Sequence, residues 1–333
     1  MAITAYKANI ANHTTFGIDV PVRLVDISAV DELREALVRF PQALVIGGGS
    51  NIVVTAPPEQ PVLRILLKGH TVLSETPEHV TVYVAAGEQW HGFVEWCVQY
   101  NLGGLENLAL IPGTTGAAPI QNIGAYGVEQ ESCFVELTGI ERSTGRTITL
   151  QKQECKFGYR DSVFKRERAN QIVIIGVTYR LAKPPYTPHA QYKDVAELLS
   201  NNRNPTIQDV FQAVIQIRRQ KLPDPAEIGN AGSFFKNPIV SRVVYQELKQ
   251  KYPELPSYHV DDDYVKLPAA WLIDRCGWKG KRCGAVGVHS RQALVIVNYG
   301  GATGNDVRNL AVQIANDVYD TFGVTLEPEV SFW

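Results

Sequence analysis

Within the first seventy residues the apolar positions change their period twice. Leu33, Ala36, Leu37 and Phe40 recur at helical spacing, so an amphipathic helix is expected, opened by a capping box of Ser28 and Asp31 and stopped by Pro41. The continuous run ALVI then reads as a short buried strand, GGGSN as a tight turn, IVV as a second strand and VLRILLK as a third. A helix among short apolar strands makes a small α/β unit, residues 1–68.

Past Gly69 the pattern becomes longer and more regular. HVTVYVAAG alternates like a half-buried strand, and EQWHGFVEWCVQYNLGG has the apolar spacing of a helix ending at a glycine cap. FVELTGIERSTGRTITL reads as a hairpin with a polar turn and QIVIIGVTYRL as a further strand. The polar SNNRNPT leads into a helix from Thr206, boxed by Asp209, with Val210, Ala213, Val214 and Ile217 on one face. These elements form a second unit, residues 69–219. KLPDP is a plausible boundary, and a third unit, residues 220–323, holds helices over 240–252, 268–276 and 303–322 with ALVIVN as a strand. Its last helix opens with a Thr303/Asp306 box. Residues 324–333 are expected to return as a strand to the second unit. The fold class is α+β.

Composition narrows the function classes. A chain of 333 residues exceeds one ordinary core and implies two or three domains. A net charge of −2 leaves no electrostatic footprint for nucleic acid or an anionic membrane surface. No apolar run approaches the ~20 residues that span a bilayer, and the first twenty residues lack the apolar core of a secretory signal. Cys97, Cys133, Cys155, Cys276 and Cys283 are irregularly spaced and odd in number, against a disulfide framework or a zinc site. Reduced thiols in a cytoplasmic protein without a metal are expected.

The chemistry concentrates in two glycine-rich loops. Gly47, Gly48 and Gly49, followed by Ser50 and Asn51, lie between apolar strands, where bare backbone can turn its N–H groups toward one point. The run is neither G-x-G-x-x-G nor a P-loop. IPGTTGAAPIQNIGAYGVE, Ile111 to Glu129, carries no charge before its last residue. Pro112, Gly113, Gly116 and Gly124 shape it, while Thr114, Thr115 and Asn122 add neutral donors. Such donors suit a diphosphate that is held and not transferred, since transfer calls for a lysine or metal. Two nests in adjacent units point to a dinucleotide cofactor between them, with its ring against Ile120 and Ile123. Taken by themselves, Arg160 reads as a structural partner of Asp161 or Glu154, Ser233 as a turn hydroxyl, and Glu329 as a strand-edge carboxylate no better placed than Glu327.

GGGSN, IPGTTGAAPIQNIGAYGVE, FGYRDSVFK, GNAGSFFKNP and LEPEV, in this order and across essentially the whole chain, closely resemble the UDP-N-acetylenolpyruvoylglucosamine reductases (MurB), and PPYTPHAQYKDV resembles the inserted loop of their type I branch. The resemblance implies a two-part FAD-binding region of the vanillyl-alcohol-oxidase-like type, plus a C-terminal α/β substrate-binding domain. It implies non-covalent FAD, NADPH as co-substrate and UDP-GlcNAc-enolpyruvate as the small-molecule substrate, in a monomeric bacterial cytoplasmic enzyme of peptidoglycan synthesis. Hydride would pass from flavin N5 to the enolpyruvyl group. By the same resemblance Arg160 faces the substrate carboxylate and developing enolate, Ser233 donates the proton and Glu329 is the third catalytic residue. Tyr126, Tyr159, Tyr192, Arg218, Lys221, Asn237, Lys266, Lys279 and Gln292 would line the substrate site.

The chain departs from the pattern at Ala117 and Ala118, where some relatives place a serine or glycine, and in its short run after LEPEV. The second departure bears on how Glu329 is anchored. Two rivals remain: a flavin oxidase using O₂, and a nucleotide-sugar or flavin binding module without catalysis.

Overall fold

The computed structural model describes residues 3–333, which divide into two units. The first comprises residues up to Ala8, Val22–Gly49 and Pro58–Gln220; the second comprises Asn9–Pro21, Ser50–Pro57 and Lys221–Trp333.

The first unit begins with a parallel arrangement in which Val62–Ile65 lies between Pro21–Ile27 and Leu44–Ile46. Val25, Ile27 and Leu63 from these strands pack with Leu33, Ala36 and Leu37 of the helix Val30–Arg39. Each of the larger side chains taken from water contributes about 1.5–3 kcal/mol, which outweighs the helix's modest intrinsic propensity. The capping box differs from expectation. Glu32, not Asp31, turns back, its Oε2 accepting from the Ser28 N–H at 2.7 Å and the Ala29 N–H at 3.0 Å. Asp31 instead pairs with Arg34 at 2.7 Å.

A five-stranded antiparallel sheet forms the rest of this unit, in the order Thr147–Gln151, Phe134–Glu141, Ile172–Ala182, His79–Ala85, His70–Glu75. The helix Trp90–Gln99 covers one face. Trp90, Phe93 and Val94 enter a core with Leu137, Val177 and Tyr179, and the Trp90 indole donates to Leu108 O at 2.9 Å. That helix ends at Tyr100, and Asn101 with φ +57° takes the left-handed position expected of a glycine. Asparagine tolerates this conformation better than other side chains. The helix Ile207–Lys221, opened by Thr206 and Asp209, adds Val210, Val214 and Ile217 to the same core.

In the second unit a four-stranded antiparallel sheet runs Gly229–Asn230, Ile296–Asn298, Val286–Val288, Arg282–Cys283. The helix Gly304–Phe322, boxed by Thr303 and Asp306 and ended by Gly323 at φ +66°, packs beside Ala269–Arg275. A smaller sheet joins Ile239–Ser241, Tyr264–Lys266 and Tyr258–His259. The C-terminal segment, expected to rejoin residues 69–219, belongs here: Ser331–Phe332 pairs in parallel with Ile52–Val53. Among the described residues no helix is long and apolar enough to cross a membrane, and no group of three or more His, Cys, Asp or Glu side chains is placed to hold a metal ion.

Candidate active site

The two glycine loops meet in the first unit. A Cβ at Gly48 would lie 2.7 Å from Gly113 Cα, and one at Gly47 would overlap Thr114 Oγ1, so only bare backbone permits this approach. Among the described residues the N–H groups of Gly48, Gly49 and Gly113 donate to no protein group. These donors fit the diphosphate of a dinucleotide. Ser50 and Asn51, from the same motif, fall in the second unit.

Other residues of the long loop have structural duties. The N–H groups of Thr115 and Gly116 donate to Glu88 O and Ala86 O, each at 2.9 Å, and a Cβ at Gly116 would lie 2.5 Å from that of Ala86. Gly116 is therefore required by packing against Ala86 and its N–H is already engaged. Asn122 is the clearer departure from its expected cofactor contact. It is wholly buried, its Nδ2 donating to Glu129 Oε2 at 2.9 Å and to Gly158 O at 3.2 Å. Its Oδ1 accepts from Gln130 Nε2 and the Glu131 N–H. Ile120 and Ile123 are half-buried against the core and keep part of their surface for an apolar ring. Ala117 is exposed, whereas Ala118 lies in the core.

Tyr159 and Arg160 occupy the tip of a tight turn closed by two Gly158–Asp161 main-chain bonds of 3.1 Å. Arg160 has φ +52°, and its Nη2 donates to Gly124 O at 2.5 Å. A Cβ at Gly124 would lie 2.8 Å from Glu129 Cγ, 2.9 Å from Val128 O and 3.0 Å from Arg160 Nη1, so its own hairpin partner requires the glycine first and the guanidinium adds to that. Of the two carboxylates that a structural reading gave to Arg160, Asp161 pairs with Arg166 at 2.9 Å and Glu154 accepts from the Gln151 N–H at 2.8 Å. The Arg160 guanidinium lies 5.3 Å from the Tyr159 ring centre.

Also in the first unit, Tyr126, Tyr192 and Arg218 converge. The two tyrosine rings meet edge-on at 5.4 Å, and the Arg218 guanidinium lies close enough to the Tyr126 hydroxyl to interact with it electrostatically. Burial raises the Tyr126 pKa and lowers that of Arg218 from their ordinary values, in each case by penalising the charged form. Arg218 Nε is buried without a partner. Beneath them Asn107, missed in the sequence, donates to Tyr126 O at 3.0 Å and His189 O at 2.8 Å, tying the tyrosine-bearing segments together. ENL before the loop carried no pattern to signal this.

In the second unit Ser233 and Glu329 lie on paired extended segments. The Glu329 N–H donates to Phe234 O at 2.8 Å, Phe235 opposes Pro328, and the Lys236 N–H donates to Glu327 O at 2.9 Å. Glu327, the rival carboxylate, is exposed and faces Lys236 at 3.4 Å; Glu329 is half-buried. Asn51 Nδ2 donates to Glu329 O at 3.1 Å, and the Trp333 N–H donates to Val53 O at 3.0 Å, so the short terminus is itself the anchoring strand. Ahead of Ser233, buried Asn230 accepts from the Gly232 N–H at 2.9 Å and donates to Ile228 O at 2.9 Å.

The remaining expected contacts are dispersed. Asn237 Oδ1 accepts from the Ala269 N–H at 2.9 Å, capping that helix. Lys279 is exposed and paired with Asp274 at 3.3 Å, and Gln292 Oε1 accepts from the Leu294 N–H at 3.3 Å. Lys266 Nζ lies 5.9 Å from the Tyr258 ring centre, and Lys221 is exposed.

Comparison with known proteins bears on both units. Residues 25–151 match a model described as an FAD binding domain, and residues 224–333 match the C-terminal domain of UDP-N-acetylenolpyruvoylglucosamine reductase. The UDP-N-acetylenolpyruvoylglucosamine reductase of Paraburkholderia phymatum is 51% identical over 326 residues, covering 95% of this chain and 94% of its own. That of Flavobacterium johnsoniae is 44% identical over 328 residues, 97% of each chain. Among solved structures, the reductase from Thermus caldophilus superposes with a TM-score of 0.71 at 22% identity over 99% of both chains, a likeness of fold.

Proposed function

The chain belongs to the UDP-N-acetylenolpyruvoylglucosamine reductase family, flavin oxidoreductases of peptidoglycan synthesis, and from that premise we propose that NADPH is its reductant and that Arg160, Ser233 and Glu329 carry the chemistry. As a UDP-N-acetylmuramate dehydrogenase it reduces the enolpyruvyl group of its nucleotide-sugar substrate. In this reading residues 1–68 and 69–219 hold FAD, residues 220–323 receive the substrate, and the enzyme works as a monomer in the bacterial cytoplasm. Gly47, Gly48, Gly49, Gly113 and Thr114 would hold the FAD diphosphate, with Ile120 and Ile123 toward its ring. Bound FAD supplies the hydride chemistry that no side chain offers.

The protein's own groups do the rest. Hydride arriving at the terminal carbon leaves negative charge on the neighbouring carbon and its carboxylate. The Arg160 guanidinium, a planar cation whose forked donors match a carboxylate's two oxygens, stabilises that charge. Ser233 Oγ–H gives its proton to the carbanion, a transfer that a serine can make to a base this strong when well placed. Glu329 donates a hydrogen bond to the enolate while its carboxyl is protonated. Tyr192 is assigned to the nucleotide diphosphate with Tyr126 and Arg218 beside it in the first unit, and Lys221 and Asn237 of the second unit are assigned to the same group.

What supports the reading most directly is that GNAGSFFKNP and LEPEV, distant in sequence, lie on paired segments in which Glu329 falls opposite Phe234, the residue next to Ser233. The test is the visible absorbance of the NADPH-reduced protein under anaerobic conditions on adding UDP-N-acetylenolpyruvoylglucosamine. The reading expects stoichiometric return of the oxidised-flavin band. A band that NADPH bleaches but this substrate does not restore would overturn the substrate, and rapid return with air alone would favour an oxidase.

A further inference from the structure

The turn carrying Arg160 holds a conformation that a long side chain keeps only where its surroundings impose it, φ +52°. Two fully buried polar side chains impose it here. Where the chain enters the turn, Asn122 Nδ2 donates to Gly158 O at 3.2 Å. Where it leaves, Ser162 Oγ donates to Ile120 O at 2.6 Å and accepts from the Phe164 N–H at 3.2 Å. At the tip, Arg160 Nη2 donates to Gly124 O at 2.5 Å. Ile120, Asn122 and Gly124 alternate along one stretch of the loop, so a single segment grips the turn at its entry, its exit and its guanidinium.

Asparagine suits this place for two reasons. Its backbone stands at φ +47°, which asparagine tolerates, and both amide hydrogens and the carbonyl oxygen are engaged. Aspartate would lose both donors and set a second carboxylate beside Glu129. Serine would not reach.

We infer that Asn122 and Ser162 are positioning residues for Arg160. They fix the height and direction of its guanidinium without touching substrate. The inference rests on Arg160 being the group that meets the substrate carboxylate. A displacement of about 1 Å at such a group costs on the order of 10²-fold in rate.

The test is a cycle of Asn122→Ser, Arg160→Lys and the double variant, each FAD-loaded, in anaerobic stopped flow. For Asn122→Ser, flavin reduction by NADPH stays within about threefold of the wild type, because Arg160 has no part in it. Reoxidation by UDP-N-acetylenolpyruvoylglucosamine saturates at a similar substrate concentration but with a limiting rate roughly 10²-fold lower. The double variant is no more than about threefold slower than the slower single variant, since Asn122 acts through Arg160. A double variant slowed by the product of the two factors, or Asn122→Ser at the wild-type rate, overturns the inference. Ser162→Ala takes the place of Asn122→Ser if the latter does not retain FAD, with the same expectations and the same overturning results. Arg160→Lys at the wild-type reoxidation rate removes the role of Arg160 itself, and the inference with it.

Discussion

The turn at Gly158–Asp161 and the paired segments at Phe234 and Glu329 carry their functional side chains by different means. The turn is short, strained at Arg160 and fixed by side chains remote in sequence, Asn122 from one side and Ser162 from the other. The segments of the second unit are extended and unstrained, and main-chain bonds hold them to each other, to Leu294 and to Asn51. Asn230 is the local exception, shaping the approach to Ser233 through residues a few positions away. A site built on a ladder tolerates most substitutions around it, whereas one built on a buried polar network fails when a single member is lost.

Substitutions that add or remove one contact sharpen this contrast. The largest effect is expected at Gly48→Ala, whose methyl group would press on Gly113 Cα at 2.7 Å. Overpacking of this kind costs about 1–3 kcal/mol and shifts the N–H groups that face the cofactor. Substoichiometric flavin after purification and a lower melting temperature are the readouts. Full flavin content would detach the glycine contact from cofactor binding. Next comes Asn230→Ala, which removes two hydrogen bonds, to the half-buried Gly232 N–H and Ile228 O, at a cost of about 1–3 kcal/mol in chemical denaturation. Asn51→Ala removes one bond to Glu329 O while the ladder remains, so a loss of about 1 kcal/mol is expected. A loss several times larger would mean that the second unit, too, depends on side chains.

The smallest effect concerns pH. His91 stacks on Phe211 at 5.7 Å, and its Nδ1 accepts from the Leu110 N–H at 3.1 Å, so the folded protein needs that nitrogen unprotonated. Burial holds its pKa below the ordinary 6.5, partly offset by the charge of Glu95 and aided to a smaller extent by those of Arg218 and Arg219. The unfolded chain therefore takes up the proton first as pH falls. The contribution of His91 to stability is full above about pH 6.5 and declines below it. Thermal melts of the wild type and His91→Gln between pH 7.5 and 5.5 should converge toward the acid end. Parallel curves would contradict the assignment.

Most of the frame was legible because its signals are local. The Thr303/Asp306 box, the 134–151 hairpin and the apolar face of the 207–221 helix each depend on residues within a few positions. The strand His70–Glu75 escaped notice because all six residues are exposed and show no alternation. Asp31 and Glu32 were both acidic and near enough to cap, and only geometry chose Glu32. Asn122 read as a cofactor donor because its place in a glycine-rich loop was visible, while its partners Glu129 and Gly158 were not identifiable as such. Asn107 escaped for the same reason. The motifs announced the site, but long-range polar contacts inside the protein had no periodicity to announce them.

The central claim is that Ser233 gives the proton that completes substrate reduction, and it is tested most directly by Ser233→Ala in separated half-reactions. The account predicts flavin reduction by NADPH at the wild-type rate and reoxidation by UDP-N-acetylenolpyruvoylglucosamine slowed by about 10²–10⁴-fold. Reoxidation at the wild-type rate, or equal slowing of both half-reactions, would contradict it.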